Sequence, residues 1–325
     1  MMKIVAGKAL ILFLPVIASL LFINCKDTKK NNQERKKVVA EKPVIFTTPL
    51  NKTIVIAEPS EKLMGQYKEA KEKYDSNAAN VESLIWYGRR TAYLGRYNEA
   101  IAIYSEGIKK HPQEPRLYRH RGHRYISIRK FKEAISDLEK AGQLIQGTDN
   151  EIEPDGMPNA QNIPVSTLHG NIWYHLGLAY YLEHNYQKAF DAFVKCRESS
   201  DLPDNIVSST HWLYMIQRRL GNETMAQEIL KPITAKMKVI ENQSYHELCK
   251  LYKALIPVDS LLRTETGNPS NDAVAYGLSN WYFYHNDKET AKNLMTNLVE
   301  SPSWSSFGYI AAESDLIQYF GKGHP

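Results

Sequence analysis

Arg119-His120-Arg121-Gly122-His123-Arg124 brings three guanidinium and two imidazole groups together within six residues. Arginine presents a planar fork of donors that suits a carboxylate or a phosphate. Residues three apart on a helix share one side of it. His120 and His123 could therefore ligate a transition metal together with His175, His211 or Asp155. Without a metal, the same imidazoles would hydrogen-bond within a wet basic surface. The sequence contains no His-Glu-x-x-His motif, no cysteine pair at metal-binding spacing, no phosphate-binding glycine loop, no nucleophile elbow and no carboxylate dyad. These residues point to recognition rather than catalysis and require no cofactor. A metal-dependent hydrolase built on the histidines is the alternative.

The groups must be positioned by a chain of 325 residues, 43% hydrophobic and 24% charged. That is enough apolar material for a sizeable core and too much for a disordered chain. The formal net charge of +5 is unevenly placed: residues 1–24 carry +2, residues 25–62 carry +4, and the remainder sums to −1. The folded part is nearly neutral, which argues against a nucleic-acid partner, since such a domain would carry its positive charge on the folded face. Three cysteines exclude a disulfide-stapled mini-domain. Cys196 and Cys249 are expected as buried thiols.

Lys3 and Lys8 precede an apolar run from Ala9 to Ile23. The run is shorter than the roughly 20 residues a membrane span needs and suits a signal-peptide core. It ends in Phe22-Ile23-Asn24-Cys25, which resembles the lipobox of bacterial lipoproteins. That resemblance implies cleavage before Cys25 and diacylation of its thiol, hence a lipid anchor in the bacterial cell envelope, at the outer membrane or periplasmic face. An ordinary signal peptide with an incidental cysteine is the alternative. Residues 25–59 are expected as a polar tether. Val44-Ile45-Phe46 and Ile54-Val55-Ile56 could be short strands, but Pro43, Pro49 and Pro59 interrupt them, which favours an extended linker over a central strand. Ser60 then serves as the N-cap that opens a helix.

Internal periodicity fixes the architecture of the rest. Gly88 and Gly122 are 34 residues apart, as are Ala100 and Ala134. Tyr97-Asn98-Glu99-Ala100-Ile101 recurs as Phe131-Lys132-Glu133-Ala134-Ile135, and a third unit carries Trp173, Leu176-Gly177, Tyr180, Ala189 and Phe193. These positions resemble the tetratricopeptide repeat, a 34-residue helix–turn–helix. The resemblance implies an all-α, right-handed superhelical solenoid over 60–325. Units are expected near 81–114, 115–147, 170–203, 207–240 and 272–303, with a degenerate one at 243–265 and a closing C-terminal helix. Small Gly and Ala positions mark where paired helices approach most closely, and one unit cannot bury its apolar face alone.

In that family the first helix of each pair lines a concave groove that takes peptides or proteins. Carried onto this chain, the inner face holds Arg89 and Tyr93, then Arg116, Arg119, His120 and His123. Asn171, Tyr174, His175 and Tyr181 follow, then His211 and Arg218. The groove is expected to be basic at its N-terminal half and aromatic at its C-terminal half. Some of these arginines could instead pair with neighbouring acids on a solvated face. The 21-residue insert around 147–168 is acidic and sits beside the basic stripe. It is either a lid over the groove, held by Arg–carboxylate pairs, or a solvated, mobile linker. The expected function is an envelope-anchored scaffold for a peptide or protein partner, acidic in the sense that its charge opposes the groove. The alternative, beside the hydrolase, is an assembly subunit of an outer-membrane complex.

Overall fold

The computed structural model describes residues 44–262, 267 and 269–321, with the backbone alone of 269 and 270. The signal segment, Cys25 and the first part of the expected tether lie outside the described residues.

Helix α1 (Glu61–Ser76) opens at Ser60, whose Oγ accepts the Leu63 N–H. Helix pairs follow: α2 (Val81–Tyr93) with α3 (Tyr97–Lys110), and α4 (Pro115–Ser127) with α5 (Phe131–Leu144). Next come α6 (Leu168–Leu182) with α7 (Tyr186–Glu198), and α8 (Pro203–Arg219) with the short α9 (Glu223–Ile229). The degenerate unit is α10 (Gln243–Tyr252) and a 3₁₀ turn at Val258–Ser260. Then come α11 (Pro269–Tyr284) with α12 (Lys288–Val299), and a closing helix α13 (Phe307–Phe320). The expected all-α solenoid of helix–turn–helix units is the fold of the chain.

The boundaries follow from local chemistry. Asn80, Thr167, Asn185, Asn222, Asp287 and Ser306 each accept a backbone N–H three residues on, satisfying an orphan donor of the first turn. Pro115 and Pro203 stand at first helical positions, where the missing N–H costs nothing. The turn from first to second helix passes through a left-handed residue at Gly95, Arg129, His184, Gly221, Ala254 and Asn286. From Arg129 onward each is followed by a residue whose N–H reaches back five positions, as Lys130 does to the Tyr125 carbonyl at 2.9 Å.

Packing within a unit is set by one glycine and the large side chain sixteen residues later. A β-carbon at Gly88, Gly122 or Gly177 would lie 2.4, 2.8 or 2.6 Å from Tyr104, Leu138 or Phe193. The residue that closes on Gly177 is thus Phe193, one turn beyond the fully buried Ala189. Ala189→Leu is expected to overpack the buried side of α7 and cost about 1–3 kcal/mol. Thermal unfolding checks it, and an unchanged midpoint would mean that α7 has room there. Cys196 and Cys249 are buried free thiols; burial pushes the Cys196 thiol up to about 12.

Residues 44–55 correct the tether expectation. Val44–Thr47 (β1) and Thr53–Val55 (β2) form an antiparallel hairpin. Pro49 does not prevent it, because it lies in the connecting turn and removes no ladder donor, while Pro43 lies outside the described residues. Ile45 and Ile54 bury against Ile128, and Asn98 Nδ2 donates to the Ile45 carbonyl at 2.9 Å. On the other side Phe46 meets Trp304 edge-on at 5.7 Å, while Lys52 donates to the Val299 carbonyl and pairs with Glu300. The hairpin therefore joins the first units to the last.

Candidate functional site

The insert between α5 and α6 starts beside the helix it leads into. Glu153 N–H donates to the Ser166 carbonyl at 3.0 Å, and Leu168 N–H to the Glu151 carbonyl at 2.9 Å, so Ile152 faces Thr167 as a single antiparallel bridge. From there the segment crosses the first helices of three units in turn.

Glu153 is the first residue to enter the groove. Its Oε2 accepts from Asn171 Nδ2 at 2.8 Å and lies 3.2 Å from Arg119 Nε. Its Oε1 lies 3.4 Å from His120 Nε2. Arg119 Nε and Glu153 Oε1 have ion-pair distances but no aligned hydrogen bond, so these two contacts are Coulombic. The Arg119 and Glu153 side chains are 11% and 6% exposed, so their attraction is little screened by solvent. Arg119 Nη1 lies 2.9 Å from His120 Nδ1. A guanidinium can only donate, which makes Nδ1 the acceptor and puts the ring hydrogen on Nε2, facing Glu153. Burial holds the His120 imidazole well below the usual range, helped by the Arg119, Arg89 and Arg124 charges. These outweigh the opposite pull of the Glu153 carboxylate.

The next residues are read through their backbone. Arg89 Nη2 donates to the Pro154 carbonyl at 2.9 Å, and Arg90 Nη1 to the Gly156 carbonyl at 2.8 Å. Both guanidiniums also stack on Trp86, at 4.4 and 5.1 Å. Gly156 is pressed against Tyr93: a β-carbon there would come within 1.8 Å of Tyr93 Oη and 2.7 Å of Arg89 Nη2. Desolvation raises the Asp155 carboxyl, against the pull of Arg89. Farther on, Asn159 Nδ2 donates to Glu241 Oε1 at 2.6 Å, just ahead of α10.

Arg89, Tyr93, Arg119, His120 and Asn171 are thus brought together around the insert. A second group of expected groove residues forms an aromatic cluster with the closing helix. His123 lies 4.4 Å from His175, and Phe307 packs on both and on Tyr174. Tyr174 Oη accepts from Trp212 Nε1 and meets Tyr245 Oη. Burial holds His123 and His175 well below the usual imidazole range, reinforced by Arg124 and Arg119.

The remaining expected residues stand elsewhere. Tyr181 is 1% exposed and bonded to Tyr276 Oη, and His211 is 1% exposed and stacked on Tyr245, so neither offers surface to a ligand. Arg116 is held by Glu114 and Glu82, and Arg218 by Glu223, so their charge is met within the solenoid. Among the described residues no three His, Cys, Asp or Glu side chains converge as a metal site.

Residue types alone did not single out Glu153, Gly156, Arg90, Trp86 or Phe307. The acidic composition of the insert was a signal for Glu153, but which of its acids would be buried was not written in it.

These helix–turn–helix units have the fold that the resemblance to the tetratricopeptide repeat implies. The pairing of helices and the glycine and aromatic contacts above carry that statement. No family model and no curated protein matches the chain. Among solved structures it is similar to a tetratricopeptide repeat protein from Parabacteroides merdae, at 15% identity over 78% of this chain and 92% of that one, with a TM-score of 0.47. It is also similar to YrrB, described as a TPR protein with an unusual peptide-binding site, at 14% identity over 77% of this chain and 98% of that one, with a TM-score of 0.42. Among the described residues no helix is long and apolar enough to cross a membrane.

Proposed function

We propose that the chain is an interaction scaffold, anchored in the bacterial envelope through Cys25, whose concave face binds an acidic segment of a protein or peptide partner. One observation carries the binding half of this reading. The inner face already holds a buried carboxylate, Glu153, between Arg119, His120 and Asn171. A buried carboxylate is costly unless its charge is met, so a surface that accommodates one is suited to acidic chains. The anchoring half rests on Lys3, Lys8, the apolar run and the Cys25 context.

The test uses the full chain expressed in cells. A photo-crosslinking amino acid in place of Trp86, on the inner face, should yield a discrete protein adduct. The same group in place of Lys132, exposed on α5, should not. Cys25→Ala should shift the chain out of the membrane fraction or leave it uncleaved. Adducts from position 132 alone would overturn the groove reading, and an acylated Cys25→Ala chain would overturn the anchor.

A further inference from the structure

We infer that the Glu153–Gly156 segment is an internal stand-in for the partner, and that the partner presents a glutamate followed three residues later by a glycine. This rests on the reading of the groove as a receptor for acidic segments and specifies what it recognises.

The pattern of burial carries the inference. Of residues 151–164 only Glu153 and Gly156 are buried. They are the two whose identity the groove constrains. Glu153 fills the site made by Arg119, His120 and Asn171. Gly156 occupies a slot in which Tyr93 and Arg89 leave no room for a β-carbon. The contacts between these anchors go to main-chain carbonyls, Pro154 to Arg89 and Gly156 to Arg90, which any residue could offer. The groove thus selects side chains at two positions and holds backbone in between.

The same facts make the segment displaceable. Ile152, Met157 and Ile163 of the insert are 51%, 66% and 48% exposed, so lifting it away uncovers little apolar surface. What favours the bound insert is its attachment at both ends, which gives it a high effective concentration. A partner with the same two anchors must overcome that advantage, so the insert sets a threshold for binding.

The experiment titrates a labelled peptide spanning residues 151–158 (Glu-Ile-Glu-Pro-Asp-Gly-Met-Pro) against full-length protein by fluorescence anisotropy. The comparison protein has residues 151–156 replaced by alternating Gly and Ser, and Gly156→Ala serves as a second, gentler opening variant. The peptide should bind both variants at least about tenfold more tightly than wild type, because the tethered competitor is gone or loosened. Peptides with Gln at the second Glu, or Ala at the Gly, should lose about tenfold or more on the Gly-Ser variant, where each anchor counts by itself. Equal binding to wild type and variants would overturn the stand-in. If a scrambled peptide of the same composition binds the opened groove as well as the parent, the pattern is wrong while the acidic-groove reading survives. If neither binds the Gly-Ser variant, folded by circular dichroism, both fall.

Discussion

Arg129→Ala is expected to lower the unfolding free energy by about 3–5 kcal/mol, the range for removing one partner of a buried ion pair. Arg129 Nε pairs with Glu313 Oε2 at 2.7 Å, and the two side chains are 3% and 2% exposed. Nη1 donates to the Ser127 carbonyl and Nη2 to the Trp304 carbonyl. One guanidinium therefore joins the α4–α5 turn to the closing helix and to the loop that receives the hairpin. It also lies over the Phe46 and Tyr309 rings, at 5.2 and 5.7 Å. Alanine would leave the Glu313 carboxylate buried without its counter-charge. Glu313 Oε1 already has no hydrogen-bond partner, so no other donor takes over in the present geometry.

The backbone adds a control. Arg129 has φ 63°, a conformation that costs a non-glycine residue about 1–2 kcal/mol. Gly95 and Gly221 stand at the matching position of other units without that cost. Arg129→Gly should therefore destabilise less than Arg129→Ala by about 1 kcal/mol, because strain is relieved while the pair is lost. Adding Glu313→Gln to Arg129→Ala should recover part of the loss, since no charge is then stranded. Denaturant unfolding of the four proteins decides the matter. A loss below about 1 kcal/mol for Arg129→Ala would place it among surface pairs and show that the closing helix is held otherwise.

Arg129 also shows where the sequence stops being informative. Repeat period, small-residue positions and N-caps are local, and Gly88, Gly122, Gly177 and Ser60 could be placed from them alone. The pairing of Arg129 with Glu313 spans 184 residues and depends on how far the solenoid curves. Local pattern at Arg129 even misleads, since a turn position suited to glycine holds a large cation. His184 repeats the case: it too has positive φ, and its Nε2 lies 3.0 Å from Ser314 Oγ of the closing helix. In both, the departure from the local rule marks where α13 docks. The hairpin was obscured in the same way, because its strands become stable only when Ile128 and Trp304 cover their sides. At the groove, repeat position assigned Arg89, Arg119 and Asn171 to one surface, and all three contact the insert. It also placed Tyr181 and His211 there, which α10 and α11 cover through Tyr245, Tyr252 and Tyr276.

Stability is expected to fall steeply as pH is lowered from 7 to about 5.5, through histidines that the fold keeps neutral. His120, His175 and His211 are 5%, 4% and 1% exposed. Burial lowers all three, the last to about 3. In the unfolded chain each takes up its proton near pH 6.5. Between that pH and the lower folded value the unfolded state binds more protons, so the free energy of unfolding drops as pH falls. One unit below 6.5 the loss is up to about 1.4 kcal/mol for each histidine, or about 4 kcal/mol for the three. His123, held low by burial and Arg124 but more exposed, adds a smaller share in the same direction. The charges facing these rings are mostly guanidiniums, Arg119, Arg89 and Arg124, so an incoming proton meets repulsion, which Glu153 opposes at His120 and the Asn171 carbonyl at His175. His211→Phe isolates one share, because His211 stacks on Tyr245 at 4.4 Å and its Nε2 has no partner. The variant gives up the contact between His211 Nδ1 and Tyr252 Oη, worth about 0.5–1.5 kcal/mol, and strands no charge. Near pH 7.5 it should lie below wild type by no more than that amount, and by pH 5.5 it should have lost about 1.4 kcal/mol less. Urea unfolding at half-unit pH steps gives both curves. Parallel curves would mean that His211 is protonated in the fold, and a flat wild-type curve between pH 7 and 5.5 would mean that the buried imidazoles accept protons in place.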